Sequence, residues 1–554
     1  MSGEVVLDVK GLNVDFFVEG VWYPAAIDLS YQVKAGEVLA IVGESGSGKT
    51  QSSMSILGLL PRNGRAYGSA KLRGRELIGL TQRQLSEVRG DQVGVIFQEP
   101  MTALNPVLTV GYQIVEVLRQ HRHIPPTAAK VRAIELLKMV EIPDPETKFD
   151  AYPHQLSGGQ RQRAMIAQAL ACDPSLLFAD EPTTALDVTV QAEIIALIRS
   201  LKDRIDAGIV LITHDMGVVA DLADNILVMK DGRMVERGTS AQIFAHPTHA
   251  YTKTLLAAVP HLGATLDTAD ADRIKPGTPL ALEAKDLVIE YPKQGRTPAF
   301  RAVRGIDLTV RVGEIVGLVG ESGSGKTTVG RCVVGLLPVV EGQLSVAGTS
   351  MAGISKDDLR KVRRGVSIVF QDPGSSLNPR WPIGQSIAEP LELHLGLEGE
   401  VLRERVGGLL DQVEIPRSMR NRYPHELSGG QRQRIGIARA LALEPKLLIA
   451  DEPTSALDVS VQAHVLDLFK NLQREHGFAC LFISHDLAVI EEMSDRIAVM
   501  KDGVIVETGT TSDIIRRPKN DYTRELIAAC PVPDPAEQAR RREAREAERA
   551  GLPR

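Results

Sequence analysis

The chain has 554 residues, 43% hydrophobic and 24% charged, which is too long for one core and ordinary for globular protein. Its formal net charge of −6 implies no general attraction to nucleic acid, and its four scattered cysteines (Cys172, Cys332, Cys480, Cys530) show neither a disulfide framework nor metal spacing. No apolar run reaches the ~18–20 residues needed to span a bilayer, and the first residues lack the pattern of a signal peptide, so the expectation is a cytoplasmic protein.

In chain order the first strong signal is an apolar run, Val38 to Val42, read as a buried strand, followed by Gly43-Glu44-Ser45-Gly46-Ser47-Gly48-Lys49-Thr50 and a helix-like stretch. This fits G-x-x-x-x-G-K-[ST], a loop that cradles nucleotide phosphates. Gly43, Gly46 and Gly48 let the backbone N–H groups of residues such as Ser45 curl inward, the helix N-terminus adds partial positive charge, and Lys49 supplies a full charge to the outer phosphates. Thr50 offers a hydroxyl to Mg²⁺. The design recurs 277 positions later behind the strand Ile315 to Val319, as Gly320, Ser322, Gly323, Gly325, Lys326 and Thr327.

Everything between repeats as well. Phe97-Gln98-Glu99-Pro100 returns as Phe370-Gln371-Asp372-Pro373, and either glutamine is suited to touch metal or water through its amide. Leu156-Ser157-Gly158-Gly159-Gln160 returns as Leu427-Ser428-Gly429-Gly430-Gln431. There Ser157 with Gly159, and Ser428 with Gly430, form a second anion site of hydroxyl, backbone N–H groups and helix N-terminus, or alternatively a glycine turn that only caps a helix. The strands Leu176 to Ala179 and Leu447 to Ala450 lead into Asp180-Glu181 and Asp451-Glu452. Asp180 and Asp451 are placed to hold Mg²⁺, and Glu181 and Glu452 to orient or deprotonate the attacking water, the positioning that phosphoryl transfer needs most. Helical periodicity runs over Gln191 to Asp203 and Gln462 to Arg474; the strands Ile209 to Ile212 and Cys480 to Ile483 then deliver His214 and His485 as sensors of a terminal phosphate. Ser157 to Glu181 and Ser428 to Glu452 span the same 24 residues, so the halves share one fold. Asp231-Gly232 and Asp502-Gly503 predict hairpins.

Alternating strands and helices predict an α/β fold: two tandem nucleotide-binding domains, each with a mainly parallel sheet core, an antiparallel β portion and a helical subdomain. The predicted division is 4–245 and 281–515 for the two domains, 246–262 and 516–532 for their C-terminal extensions, 263–280 for a linker and 533–554 for a charged tail, a solvated helix or frayed end.

Phosphate loop, glutamine loop, Leu-Ser-Gly-Gly-Gln, Asp-Glu pair, Ala-Leu-Asp loop (Ala185-Leu186-Asp187; Ala456-Leu457-Asp458) and histidine follow one another as in ABC-type ATPases, which the chain resembles over about nine-tenths of its length. The resemblance implies a head-to-tail pair with two ATP at the interface, ATP on Lys49 closed over by Ser428 and ATP on Lys326 by Ser157. Phe16 and Tyr291 resemble the family's adenine-stacking aromatic; for Phe16 core packing is the alternative. The stretches His246-Pro247-Thr248-His249-Ala250-Tyr251-Thr252 and Arg517-Pro518-Lys519-Asn520-Asp521-Tyr522-Thr523, each running on to a proline (Pro260, Pro531), resemble the tail of ATP-binding subunits of oligopeptide and dipeptide importers, here with two subunits fused. That implies an ATPase with Mg²⁺ at the cytoplasmic face of the membrane, one copy beneath two integral-membrane permease subunits and served by an extracytoplasmic substrate-binding protein. Only Cys530 remains of the cysteine cluster many members carry, so no iron–sulfur cofactor is implied. The alternatives are the same architecture importing haem, nickel or glutathione, or a soluble ABC ATPase acting on ribosome or nucleic acid; the latter's long basic helix pair and zinc cysteines have no counterpart here.

Overall fold

The computed structural model describes residues 3–184, 186–263, 275, 277–293, 295, 298–455 and 457–549. Ala185, Ala456, most of the predicted linker and the last five residues lie outside them. The chain forms two compact units, one of Met1–Leu186, Val190–Val259 and Pro531–Arg554, the other of Asp187–Thr189 and Pro260–Cys530.

In the first unit, Val38–Val42 is wholly buried because it lies inside a sheet covered on both faces. Val38, Ala40 and Val42 point into one core with the helices, whereas Leu39 and Ile41 point into another with the antiparallel strands. Burial on both faces is why this strand reads as an unbroken apolar run instead of an alternation. The sheet has six strands in the order Arg233–Thr239, Asn225–Lys230, Val38–Val42, Gly208–Ile212, Leu176–Asp180, Val93–Ile96, all parallel except the first. Its antiparallel edge is made by the hairpin at Asp231 (φ 50°) and Gly232 (φ 77°), the two positive φ values that a tight two-residue turn requires. A second, antiparallel sheet has the order Val21–Lys34, Val5–Val18, Gly64–Leu72, Arg75–Glu76. Helices Val110–Arg122, Pro126–Met139 and Gly158–Ala169 form the helical portion, packed through Ile114, Leu118, Leu136, Leu137 and Ile166.

The second unit repeats this plan. Its six-stranded sheet runs Val366–Val369, Leu447–Asp451, Ala479–Ser484, Ile315–Val319, Arg496–Lys501, Val504–Thr510, with the last antiparallel. Asp502 and Gly503 again take positive φ.

The charged tail differs from its sequence reading. Pro535–Arg549 is helical as expected, but it belongs to the first unit and is not fully solvated: it packs on the helix Met216–Leu222 that follows His214. Gln538 is 2% exposed and donates to Asp221 at 3.2 Å, and Arg542 lies 3.4 Å from the same carboxylate. Charge density alone reads as solvation; Asp221, more than 300 positions away in sequence, supplies the partner.

Candidate functional site

Each phosphate loop joins the C-terminal end of the strand Val38–Val42 or Ile315–Val319 to a helix, Lys49–Ile56 or Lys326–Val333. Gly48 caps the first helix at φ 93°, and a Cβ there would lie 2.0 Å from the Ala25 carbonyl oxygen, so only glycine fits. Gly325 repeats this at φ 108°. The lysine ammonium is turned onto the loop's own carbonyls: Lys49 Nζ donates to Gly43 O at 2.7 Å and Glu44 O at 2.8 Å, and Lys326 Nζ to Gly320 O and Glu321 O, both at 2.7 Å. Both lysines are buried, and burial lowers the Lys326 pKa from its usual range. The hydroxyls of Ser47 and Ser324, buried in the loops, have no hydrogen-bond partner among the described residues. A buried ammonium beside a buried hydroxyl without a partner among the described residues fits a phosphate chain.

Beside each loop a strand ends in an acid. Thr50 Oγ1 donates to Asp180 Oδ1 at 3.0 Å and Thr327 Oγ1 to Asp451 Oδ1 at 2.9 Å. Burial pushes the Asp180 carboxyl up to about 6, with the neighbouring Glu181 charge adding to it and the Thr50 hydrogen bond opposing; Asp451 is raised for the same reasons. A hydroxyl and a carboxylate side by side are hard oxygen donors, a set that fits Mg²⁺.

The next residue is strained. Glu181 and Glu452 sit at φ 47° and 46°, a left-handed conformation that costs a non-glycine residue about 1–3 kcal/mol and gathers at functional sites. Each carboxylate is a hub. Glu181 accepts from Gln98 Nε2 at 2.8 Å and Thr184 Oγ1 at 2.9 Å, and His214 Nδ1 lies 3.0 Å away. Glu452 accepts from Gln371 Nε2 at 3.0 Å and faces His485 Nδ1 at 3.1 Å, while Ser455 bonds the Glu452 backbone carbonyl instead of the carboxylate. Burial would raise both glutamates, but the hydrogen bond and charge of the histidine outweigh it and both are lowered. Glutamine, glutamate and histidine, far apart in sequence, are thus one cluster in each unit.

Ser157 and Ser428 each start a helix, Gly158–Ala169 and Gly429–Leu441. Ser157 Oγ accepts from Gln160 N–H at 3.2 Å while Gln160 Oε1 accepts from Ser157 N–H at 3.2 Å, a capping box repeated by Ser428 and Gln431. Gly159 and Gly430 lie against Val190 and Val461, where a Cβ would approach the valine side chain to 2.6 Å and 2.3 Å. Phe16 is half-buried against the core of the antiparallel sheet, while Tyr291 reaches the phosphate-loop helix, its hydroxyl 3.3 Å from Thr328 Oγ1. Two residues escaped the sequence reading. Gln162, buried, ties the Ser157 helix to the segment after Glu181 by donating to Pro182 O at 2.7 Å. Thr184 holds the Glu181 carboxylate; its place three residues after the acid was the available signal.

The sequence profile described as "ABC transporter" matches residues 27–184 and 303–455. The chain belongs to the ABC transporter family. The profile "Oligopeptide/dipeptide transporter, C-terminal region" also matches twice, at 235–286 and 506–553. Curated relatives named glutathione import ATP-binding protein GsiA are 46% identical over 569 residues in Salmonella choleraesuis (97% of this chain, 91% of the relative) and 46% over 565 residues in Escherichia coli K12 (96% and 90%). A solved dimeric ATP-binding cassette with ADP and Pi aligns at 31% identity with a TM-score of 0.39, covering 42% of this chain and 98% of its own. As an ABC protein with two cassettes in one chain, it is an ATPase coupled to transport. Among the described residues no helix is long and apolar enough to cross a membrane.

Proposed function

We propose that this ABC ATPase powers import of peptide-class cargo, short peptides or the tripeptide-like glutathione, at the cytoplasmic face of the membrane, beneath two permease subunits fed by an extracytoplasmic binding protein. The observation that carries the reading is the oligopeptide/dipeptide C-terminal region matched behind both cassettes. The relatives named for glutathione import, matched along nearly the whole chain, support it.

In this reading the loops at Gly43–Thr50 and Gly320–Thr327 bind the ATP phosphates through backbone N–H groups and the lysines. Thr50 with Asp180, and Thr327 with Asp451, would hold Mg²⁺, which neutralises phosphate charge when bound; Gln98 and Gln371 would reach its shell. Glu181 and Glu452 orient the attacking water and accept its proton, and His214 and His485 hold those carboxylates and sense the terminal phosphate. Phe16 and Tyr291 stack on adenine. Ser428 completes the Lys49 site and Ser157 the Lys326 site, so both sites are complete and both hydrolyse. The domains divide near 4–245 and 281–515, joined by the segment 263–280. ATP shifts the closing equilibrium only as far as it binds the closed state better.

The test is vesicle reconstitution with the permeases and binding protein, loaded in parallel with labelled glutathione, a dipeptide and a longer peptide. Uptake that depends on ATP and on one of these confirms the reading; ATP-dependent uptake of haem or nickel alone, or copurification with ribosomes in place of membrane proteins, defeats it.

A further inference from the structure

The tyrosine in the C-terminal region of each cassette has no part in the chemistry described so far, yet its hydroxyl reaches the phosphate loop. Tyr251 Oη accepts a hydrogen bond from the Glu44 backbone N–H at 3.2 Å, and Tyr522 Oη accepts from the Glu321 N–H at 3.1 Å. Both rings are buried, and a lysine ammonium lies over each, Lys230 at 4.9 Å and Lys501 at 4.4 Å from the ring centroid.

The atom each hydroxyl holds is informative. Glu44 N–H belongs to the same peptide group as Gly43 C=O, and Gly43 O is the carbonyl that receives Lys49 Nζ at 2.7 Å. A trans peptide is planar, with its N–H and C=O pointing in opposite directions. Fixing the N–H from behind therefore aims the carbonyl at the lysine in front. The second unit has the same relay, from Tyr522 through the Gly320–Glu321 peptide to Lys326 at 2.7 Å.

The tyrosines are themselves braced. Glu236 accepts from Thr248 N–H at 2.7 Å and His249 N–H at 3.1 Å, and Glu507 from Lys519 N–H at 2.8 Å and Asn520 N–H at 3.1 Å. Burial would raise the Glu236 carboxyl, but the Thr252 hydroxyl on the following helix and the hydrogen bonds from Thr248 and His249 hold it down at about 2. His249 and Asn520 then cap the helices Ala250–Ala257 and Asp521–Ala529 by accepting from the tyrosine N–H groups at 3.1 Å and 2.9 Å. A carboxylate, a helix cap and a ring under a lysine give the hydroxyl one position.

We propose that Tyr251 and Tyr522 are positioning residues for the phosphate-loop lysines: each orients the peptide group on which its lysine rests, and so couples the C-terminal region to nucleotide binding in its own cassette. The tyrosine, peptide and lysine relay is present in both cassettes, although the residue before each tyrosine-bearing helix changes from His249 to Asn520. It concerns the ATPase step and holds whatever the cargo is.

Tyr251→Phe and Tyr522→Phe test it in the full chain, because phenylalanine keeps the ring, its packing and the lysine above it while deleting the hydroxyl that accepts from the loop. Without nucleotide, amide hydrogen exchange over residues 43–46 rises in Tyr251→Phe and stays unchanged over 320–323; Tyr522→Phe gives the converse, so each cassette is the other's control. The double variant binds ATP about two- to tenfold more weakly, the range expected for one neutral hydrogen bond, with a Tm within a few degrees of the parent. Unchanged loop exchange overturns the proposal, as does faster exchange with unchanged ATP affinity. A collapse in Tm together with lost affinity overturns it too, since the tyrosines would then be core residues only.

Discussion

His214 and Glu181 meet with Nδ1 and Oε1 3.0 Å apart, although 33 residues separate them, and His485 and Glu452 repeat the contact at 3.1 Å. Each glutamate is held by a glutamine and a histidine that lie outside the phosphate loop. Replacing Glu181 and Glu452 by glutamine therefore keeps the phosphate loops and the shape of the hub but removes the proton acceptor. ATP hydrolysis by the double variant is expected to fall by at least about 10²–10³, the usual cost of losing one preorganised catalytic group, while ATP binding is retained. Single-turnover hydrolysis and equilibrium binding measured on the same preparation check this. Hydrolysis at the parental rate would remove both glutamates from the mechanism.

The same contact makes a pH-dependent prediction. Burial opposes a charge on His485, but the hydrogen bond and charge of Glu452 overcome it and raise the histidine above its ordinary 6.5. Glu452 moves the other way, below 4.5. A raised histidine contributes stability that is fully present below 6.5 and is lost as pH rises through its folded pKa; a lowered glutamate contributes stability present above 4.5 and lost as pH falls. The pair is therefore at full strength between about pH 4.5 and 6.5 and weakens above that window. Histidine NMR titration of the nucleotide-free chain should place His485 above 6.5 and show it falling in Glu452→Gln. A His485 that titrates identically in both proteins would mean that the 3.1 Å contact carries no charge.

Lys49 and Lys326 lie on loop carbonyls at 2.7–2.8 Å, so their removal takes a charged donor from those carbonyls, leaving Ser47 N–H on Glu44 O and Ser324 N–H on Glu321 O, as well as deleting the phosphate charge. Lys49→Ala is expected to cost at least about 10²–10³ in hydrolysis at its own site, and Lys326→Ala the same at the other. Site-resolved crosslinking of a photoactive ATP analogue, followed by peptide mapping, reads which loop has lost nucleotide. Ser428→Arg is expected to weaken labelling or hydrolysis at the Lys49 loop more than at the Lys326 loop; the reverse pattern would exclude the crossed pairing.

Much of this site was legible because duplication converts weak signals into strong ones. The strands Val38–Val42 and Ile315–Val319 end where their apolar runs end, since burial on both faces demands an unbroken run and the glycine loop stops it. The hairpins at Asp231-Gly232 and Asp502-Gly503 followed from a turn that needs two positive φ values. Side-chain partners were less legible. Gln98 was read toward metal or water, and its contact with Glu181 depends on the register of parallel strands 83 residues apart. The left-handed φ of Glu181 and Glu452 leaves no trace in composition, because such strain is imposed by the surrounding fold. Tyr251 and Tyr522 stood in a repeated motif, but only the fold shows that their hydroxyls face the phosphate loops.

The tail gives the last prediction. Pro531 lies against Gly217, where an added Cβ would come within 2.5 Å of the proline side chain, and Asp221 takes Gln538 at 3.2 Å, Arg542 at 3.4 Å and Arg199 in close contact. Nearly buried, Asp221 is shared by all three donors, so Asp221→Ala removes a charge partner from Arg542 on the docked face and from the half-buried Arg199. Hydrogen bonds to charged groups contribute about 1.5–3 kcal/mol each when shielded, and the partial exposure of Arg199 and Arg542 places the loss at the lower end. Gly217→Leu acts differently, by blocking the approach of Pro531 while Asp221 remains. If the helix Pro535–Arg549 is held as the contacts indicate, trypsin cuts after Arg540, Arg541 and Arg542 slowly in the parent and at least severalfold faster in both variants, scored by the released C-terminal peptides. Fast cutting already in the parent would return the tail to the solvated helix that its charge pattern first suggested. Faster cutting in Asp221→Ala but not in Gly217→Leu would assign the docking to the ionic cluster alone, because the proline contact would then contribute nothing that the Asp221 cluster does not.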